Sequence, residues 1–390
     1  MGTIGVGLIG CGGRLGGVVW GVRDESAGEI DFRAVYDPNP EAVAETKRLF
    51  NEDMTVYDSY DALVTDPAID WVMIGSWNCA HAAQAIAAFN AGKHVFCEKP
   101  LATTLPDCLA MYAAWQRSGK TFTIGFTLRY SPHYLRIKEL LESGIIGQLV
   151  SMEFNETLHF AHGGYIHADW RRLTANAGTH LLEKCCHDVD LVNWFVGSRA
   201  RRVASFGGCD FFTPANAHHM ERLGRDPENG RLAYSNLWRE HPVDPFHAEK
   251  DIIDNQVAII EFENRVRATF HTNCNAGIPE RRMYLVGTEG ALRADVIAGT
   301  IQVQRNGFGT QIEDLSTDAS GGHGGGDNIL CRSIAESILH GAPSHTSLTD
   351  GLNAAVTCFG IDDAMTTGTV VDMAPYWAQV DAVVNGATPV

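Results

Sequence analysis

Positive charge is scarce in this chain: 30 lysines and arginines stand against 47 aspartates and glutamates, for a formal net charge of −17. A surface that acidic repels phosphate backbones and anionic lipids, so neither nucleic acid nor a membrane is expected as a partner. No apolar run approaches the ~20 residues that span a bilayer, and the opening MGTIGVGLIG lacks the basic start and cleavage site of an export signal. A cytoplasmic protein is expected. CxxC pairs are also missing. The ten cysteines are scattered, with only Cys185 and Cys186 adjacent; in a reducing compartment they read as small buried apolar groups, not as a disulfide framework. Internal repeats and low-complexity tracts are absent. What is present is an ordinary globular composition, 45% hydrophobic and 9% aromatic. At 390 residues two domains are expected, since single cores stop growing near ~300 residues.

Residues 1–125 alternate short apolar runs with helical patterns. TIGVGLI, FRAVY, WVMIG, KHVFC and TFTIG read as strands, while EAVAETKRLF, AHAAQAIAAFNAG and LPDCLAMYAAWQRSG carry helical spacing. Strict alternation predicts an α/β domain, a doubly wound parallel sheet covered on both faces. After Gly125 the rhythm changes. Pro132–Ser143 and Gly178–Val196 read as helices; QLVSMEFNETL, RRVASFGG, NQVAIIEF, RVRATFHTN, RRMYLVG, GALRADV and TIQVQR read as strands. Residues 126–390 are expected to form an α+β domain, an open, mostly antiparallel sheet with helices on one face. It carries a polar insertion around 213–250 without periodicity, and Leu330–Leu339 and Gly351–Met365 read as closing helices.

The first strand runs into Gly10-Cys11-Gly12-Gly13-Arg14-Leu15-Gly16. Glycines at a strand-to-helix turn let the backbone approach a pyrophosphate, which then sits on the unpaired N–H groups of the helix start. The last glycine falls one position later than a GxGxxG spacing asks. Asp37 ends the second strand, 37 − 12 = 25 residues after Gly12, about where an acid binds adenosine ribose hydroxyls. Asp37-Pro38-Asn39-Pro40 is also a turn and helix cap, but the glycine loop and βαβ rhythm favour the ribose role. A carboxylate there repels a 2′-phosphate, so NAD is expected over NADP. The fourth strand ends Cys97-Glu98-Lys99-Pro100. That places Lys99 beyond the carboxyl ends of the strands, where ligands of such sheets bind, and an ammonium there can steady a developing alkoxide.

Thr179–Trp194, THLLEKCCHDVDLVNW, is dense in chemistry. Projected on one helix, Leu182, Cys185, Cys186, Val189 and Val196 share an apolar stripe, so both cysteines read as packing. His180, Glu183, His187, Asp190 and Trp194 share the next stripe. The histidines and glutamate there could be a metal site or an acid/base site.

GLIGCGGRLG, Asp37, SWNCAH at 76–81, AGKHVFCEKPLA at 91–102 and HLLEKCCHDVD together resemble the Gfo/Idh/MocA family of NAD(P)-dependent oxidoreductases over nearly the whole chain. The resemblance implies a Rossmann domain followed by a substrate and oligomerisation domain. It makes Lys99 catalytic, has Glu98 hold the nicotinamide end, and lines the cofactor cleft with Ser76, Trp77, Asn78 and His81 beside Gly10, Gly12, Gly13, Arg14, Leu15 and Asp37. Trp77 stands where the family has proline. His187 becomes the general base opposite Lys99, with Glu183 (an aspartate in the family) orienting substrate, and no metal is expected. Arg129, Tyr165, Trp170, Arg171 and His180 are expected against a carbohydrate or cyclitol substrate. The implied reaction is oxidation of a ring carbinol by hydride transfer to NAD. An NAD-dependent glycoside hydrolase without net redox, and a non-catalytic NAD or sugar sensor, are the alternatives. A homodimer or homotetramer is expected by analogy with the family.

Overall fold

The computed structural model describes residues 3–234, 243–318 and 320–388. The chain divides into two compact units. The first comprises Met1–Ser131, Gly321–Val356 and Trp377–Val390, and the second Pro132–Ser320 and Thr357–Tyr376. A single boundary at 125/126 does not describe this division, because late segments return to the first unit. The helix Gly326–His340 explains the return: its Leu330, Cys331, Ile334, Ala335 and Ile338 join a core with Leu15, Val18, Val19 and Val22 of the helix Gly13–Glu25. Each large apolar side chain so buried contributes roughly 1.5–3 kcal/mol.

Six parallel strands build the first unit: β1 (Ile4–Ile9), β2 (Ile30–Tyr36), β3 (Thr55–Val56), β4 (Trp71–Ile74), β5 (His94–Cys97) and β6 (Phe122–Ile124), in the order β3-β2-β1-β4-β5-β6. All four residues of β4 are buried, as a strand covered on both faces requires. Five of these strands match the expected apolar runs; β3 is a short addition at the edge. Because the strands are all parallel, the loops after β1, β2, β4 and β5 leave the same carboxyl edge of the sheet, and the order reverses between β1 and β4, where such folds bind ligands.

Among the described residues the second unit holds nine strands: β7 (Leu149–His159), β8 (Ala200–Gly208), β9 (Asn255–Phe262), β10 (Arg267–Ala276), β11 (Arg282–Gly287), β12 (Gly290–Asp295), β13 (Thr300–Arg305), β14 (Glu313–Asp314) and β15 (Val371–Asp372). Their order is β14-β13-β12-β11-β7-β10-β9-β8-β15, antiparallel except for β7 beside β10. Burial alternates along β9, with Ala258, Ile260 and Phe262 inside and Val257 and Ile259 outside. One face is thus covered and one open, as expected.

The helix expected over 178–196 is broken. Cys185 leaves helical geometry (φ −95°, ψ 4°), separating His180–Lys184 from Cys186–Val196. The insertion around 213–250 is less polar than its composition: Phe212, Tyr234 and Phe246 form an aromatic cluster with Leu158, Ile166, Ile252 and Cys274. Its residues 235–242 lie outside the described residues.

Candidate active site

In the first unit, β1 is followed by Gly10, whose φ of +86° and close approach to the next loop both require glycine; a Cβ there would sit 2.4 Å from the Ser76 nitrogen. Gly12 caps the helix Gly13–Glu25 with no side-chain hydrogen bond. A Cβ on Gly13 or Gly16 would meet nothing within 4 Å, and one on Gly12 only the Gly75 oxygen at 3.8 Å. An uncapped helix start beneath open space fits a pyrophosphate. Leu15 contributes backbone only, since its side chain is core. Asp37 does two jobs: one carboxylate oxygen accepts the Cys11 N–H at 2.7 Å and the other the Asn39 N–H at 2.8 Å. The turn reading and the loop-holding position coexist.

Arg14 is a hub. Its guanidinium donates to Glu98 at 2.9 Å, to Asp327 at 2.7 Å and to Thr127 Oγ1 at 2.7 Å. The glycine loop is thereby tied to the Glu98-Lys99 strand end and to the returning chain. Asp327 also faces His323 at 2.9 Å. Buried Glu98 accepts the Lys99 N–H at 3.3 Å, and the Lys99–Pro100 peptide is cis. Ser76 donates to Gln84 at 2.6 Å, Asn78 is buried and Trp77 is half exposed. His81 is turned to structure: its ring nitrogens face the carbonyls of Pro100 at 2.8 Å and Ser76 at 3.2 Å, bracing two loops. Burial pushes its imidazole below the ordinary value. Arg129, expected at substrate, is buried and paired with Asp350 at 2.9 Å within this unit.

The second unit gathers its expected residues around another arginine. Arg171 donates to Glu183 at 3.0 Å, to Tyr165 Oη at 2.7 Å and to Asp169 at 2.6 Å, and its guanidinium lies 4.4 Å from the Trp170 ring centroid. Burial, with Asp169 nearby, pushes the Tyr165 phenol up to about 12. Glu183, His187 and His180 are all buried. The break at Cys185 parts His180 and Glu183 from His187, with which they share the expected stripe. The His180 ring lies against the Cys274 sulfur at 3.6 Å, and burial pushes it down to about 4. Cys185 and Cys186 are both buried, as packing predicts.

Models of an oxidoreductase family match nearly the whole chain: the NAD-binding Rossmann fold at residues 4–126 and the C-terminal alpha/beta domain at 138–373. The chain belongs to the Gfo/Idh/MocA family. This Gfo/Idh/MocA protein takes NAD as its cofactor. It is similar to an inositol 2-dehydrogenase of Acidothermus cellulolyticus, 32% identical over 214 residues that cover 53% of this chain and 57% of that one. It is also similar to the 2,7-anhydro-N-acetylneuraminate hydratase of Escherichia coli (strain K12), 26% identical over 276 residues, 69% of this chain and 62% of that one. The chain therefore spans less than two thirds of these relatives' lengths. A solved levoglucosan dehydrogenase, in complex with NADH and L-sorbose, shares the fold with a TM-score of 0.77 at 22% identity, over 96% of this chain and 99% of that one.

Sequence reasoning missed the polar core beneath the helices of this Gfo/Idh/MocA chain. Arg281 donates twice to Asp188, at 2.8 and 2.7 Å, and lies 3.2 Å from Glu156, which also pairs with Lys184 at 3.2 Å. Burial raises the Asp188 carboxyl to about 7, while Arg281 and Lys184 outweigh burial at Glu156 and hold it at about 2. Lys184 and Asp188 flank the break at Cys185, so this network ties down the chain on both sides of it. Nothing in the local sequence pairs Arg281 with a helix 93 positions earlier.

Proposed function

We propose that the protein is an NAD-dependent dehydrogenase that oxidises a ring carbinol of a sugar, sugar derivative or cyclitol. The observation that supports this best is the Arg14 hub, which holds the glycine loop and the Glu98-Lys99 strand end as one rigid assembly. The inositol 2-dehydrogenase among its relatives supports the substrate class. The backbone of Gly10, Gly12, Gly13 and Leu15 holds the pyrophosphate, Asp37 the adenosine ribose, and Ser76, Trp77, Asn78 and Glu98 border the nicotinamide. Bound NAD supplies the hydride acceptor. His187 takes the hydroxyl proton and Lys99 steadies the alkoxide. Glu183, oriented by Arg171, binds a substrate hydroxyl, with Tyr165 and Trp170 as further sugar contacts.

No helix among the described residues is long and apolar enough to cross a membrane. The open sheet face exposes Phe206, Val257 and Ile259 around a groove lined by Thr269 and His271. This face supports a homodimer or homotetramer formed through it.

The hydratase among the relatives favours a second reading, transient oxidation followed by elimination with no net redox. To separate the two, NADH fluorescence and aglycon release are followed together over a panel of free sugars, cyclitols and aryl glycosides. Stoichiometric NADH supports the dehydrogenase, and glycoside turnover on catalytic NAD the second reading; neither signal, despite tight NAD binding, sinks both. Lys99→Ala and His187→Ala should each lower kcat about 10²–10⁴-fold with the fold intact. Unchanged rates would refute the assignments.

A further inference from the structure

We propose that His167, Cys209 and Asp254 form a zinc site that staples the insertion 209–254 to the helix Phe160–Ala168. The His167 ring nitrogen, the Cys209 sulfur and an Asp254 carboxylate oxygen all lie within 4.8 Å of one another. Zinc bonds of about 2.0–2.3 Å set ligand atoms roughly 3.3–3.8 Å apart. Cys209 Sγ already stands 3.6 Å from Asp254 Oδ2, so only His167 must close in.

The protons point the same way. His167 Nδ1 lies 3.0 Å from the Gly163 carbonyl. A carbonyl only accepts, so Nδ1 carries the ring proton and Nε2 offers a lone pair. His167 is fully buried, and Nε2 has no hydrogen-bond partner among the described residues. An unpartnered imidazole acceptor beside a carboxylate and a thiol offers a cation a ready set of donors. The surroundings are those of a metal ligand set, in which outer hydrogen bonds fix each donor. Gly163 orients the imidazole, the stacked Phe212 ring 4.2 Å away holds its plane, and Asp254 is positioned by the N–H groups of Asp210, Phe211 and Phe212. The nearby Lys250 ammonium is turned to the carbonyls of Phe212 and Phe246.

Imidazole, thiolate and carboxylate together select zinc over the hard cations magnesium and calcium. On binding, Cys209 releases its thiol proton to solvent and no electron moves. The other compact trio, Glu156, Cys185 and Asp188, is different, because Arg281 and Lys184 already neutralise it. Cys209 follows β8 and Asp254 precedes β9. A metal there closes the insertion at its base and anchors it to the helix that carries Tyr165.

The full chain, purified without chelator, is analysed for metals, then stripped and titrated with Co²⁺. About one zinc per chain is expected, with a thiolate-to-cobalt charge-transfer band in the near ultraviolet. Cys209→Ser should abolish that band, and Cys274→Ser, removing the neighbouring buried thiol, should keep it. Metal-free protein with no cobalt band in the unmutated chain overturns the proposal without any variant having to fold. A band that survives Cys209→Ser also overturns it, as does cobalt bound without sulfur charge transfer.

Discussion

Each unit organises its expected site around one arginine, and the two are built differently. Arg14 draws partners from positions 84, 113 and 313 residues away, and more than a third of its side chain is exposed. Arg171 takes its partners from within 12 residues and is more deeply buried. The first hub ties loops that separate strands have delivered to one sheet edge. The second holds a local cluster together and neutralises two buried carboxylates, Glu183 and Asp169. Long-range tethers set the geometry of the first unit; local charge balance keeps the second folded.

That contrast breaks most visibly at Arg171. Arg171→Met leaves Glu183 and Asp169 buried without their countercharge, which costs about 3–5 kcal/mol. Urea denaturation at neutral pH should show the loss, and Arg171→Lys should restore only part of it, since one ammonium cannot reproduce the fork to Glu183 and Asp169. A loss below about 1 kcal/mol would show that Arg171 is a surface pair and the second unit is not charge-balanced through it.

How far these hubs were legible from sequence follows the same division. β1, β2, β4, β5 and β6 announce themselves because a strand covered on both faces is mostly apolar, as the fully buried WVMI shows. Glu98-Lys99 and the glycine loop were placed by the ends of those strands. The partners of Arg14 were not, because no local pattern says that Asp327 returns beside the first helix. The helix Gly326–His340 was visible as a helix, yet its docking against Gly21, where a Cβ would meet the Cys331 sulfur at 2.5 Å, is tertiary information. In the second unit, Glu183, Tyr165 and Arg171 were each named from sequence and are in contact. One helical period carried across Cys185 would line His180 up with His187; the chain breaks there, and the His180 ring lies against the Cys274 sulfur.

The second unit also buries a carboxyl that its arginines do not reach. Asp362 accepts from Thr179 Oγ1 and from Gln256, and burial raises it to about 7. The folded state thus holds this proton more tightly than the unfolded chain, which titrates near 3.8. Its stabilisation is complete below pH 3.8 and is lost as pH rises through about 7. Asp362→Asn keeps the shape without the charge, and the Thr179 hydroxyl can rotate to accept the amide. The variant should be more stable than the parent by roughly 2–4 kcal/mol at pH 8, the gap narrowing toward pH 4.5. A gap that does not change with pH would mean that Asp362 stays ionised in the folded chain.

The smallest effect on stability is expected at Arg14, where it is most informative. Arg14→Met removes the tether between the glycine loop, Glu98 and Asp327, but Asp327 is nearly a third exposed and can be rehydrated. The stability cost should be about 1–2 kcal/mol, because the pair with Asp327 is partly exposed and screened and only Glu98 is left buried without its countercharge. The NAD dissociation constant should nevertheless rise about tenfold, since the loop and the strand end that flank the cofactor are no longer held in one geometry. NADH fluorescence titration alongside urea denaturation separates the two quantities. Arg14→Lys, which can reach one carboxylate but not two, should fall between parent and Met in affinity while matching the parent in stability. If affinity falls only in proportion to stability, Arg14 is a structural pair like any other, and the distinction between a tethering hub and a charge-balancing one fails.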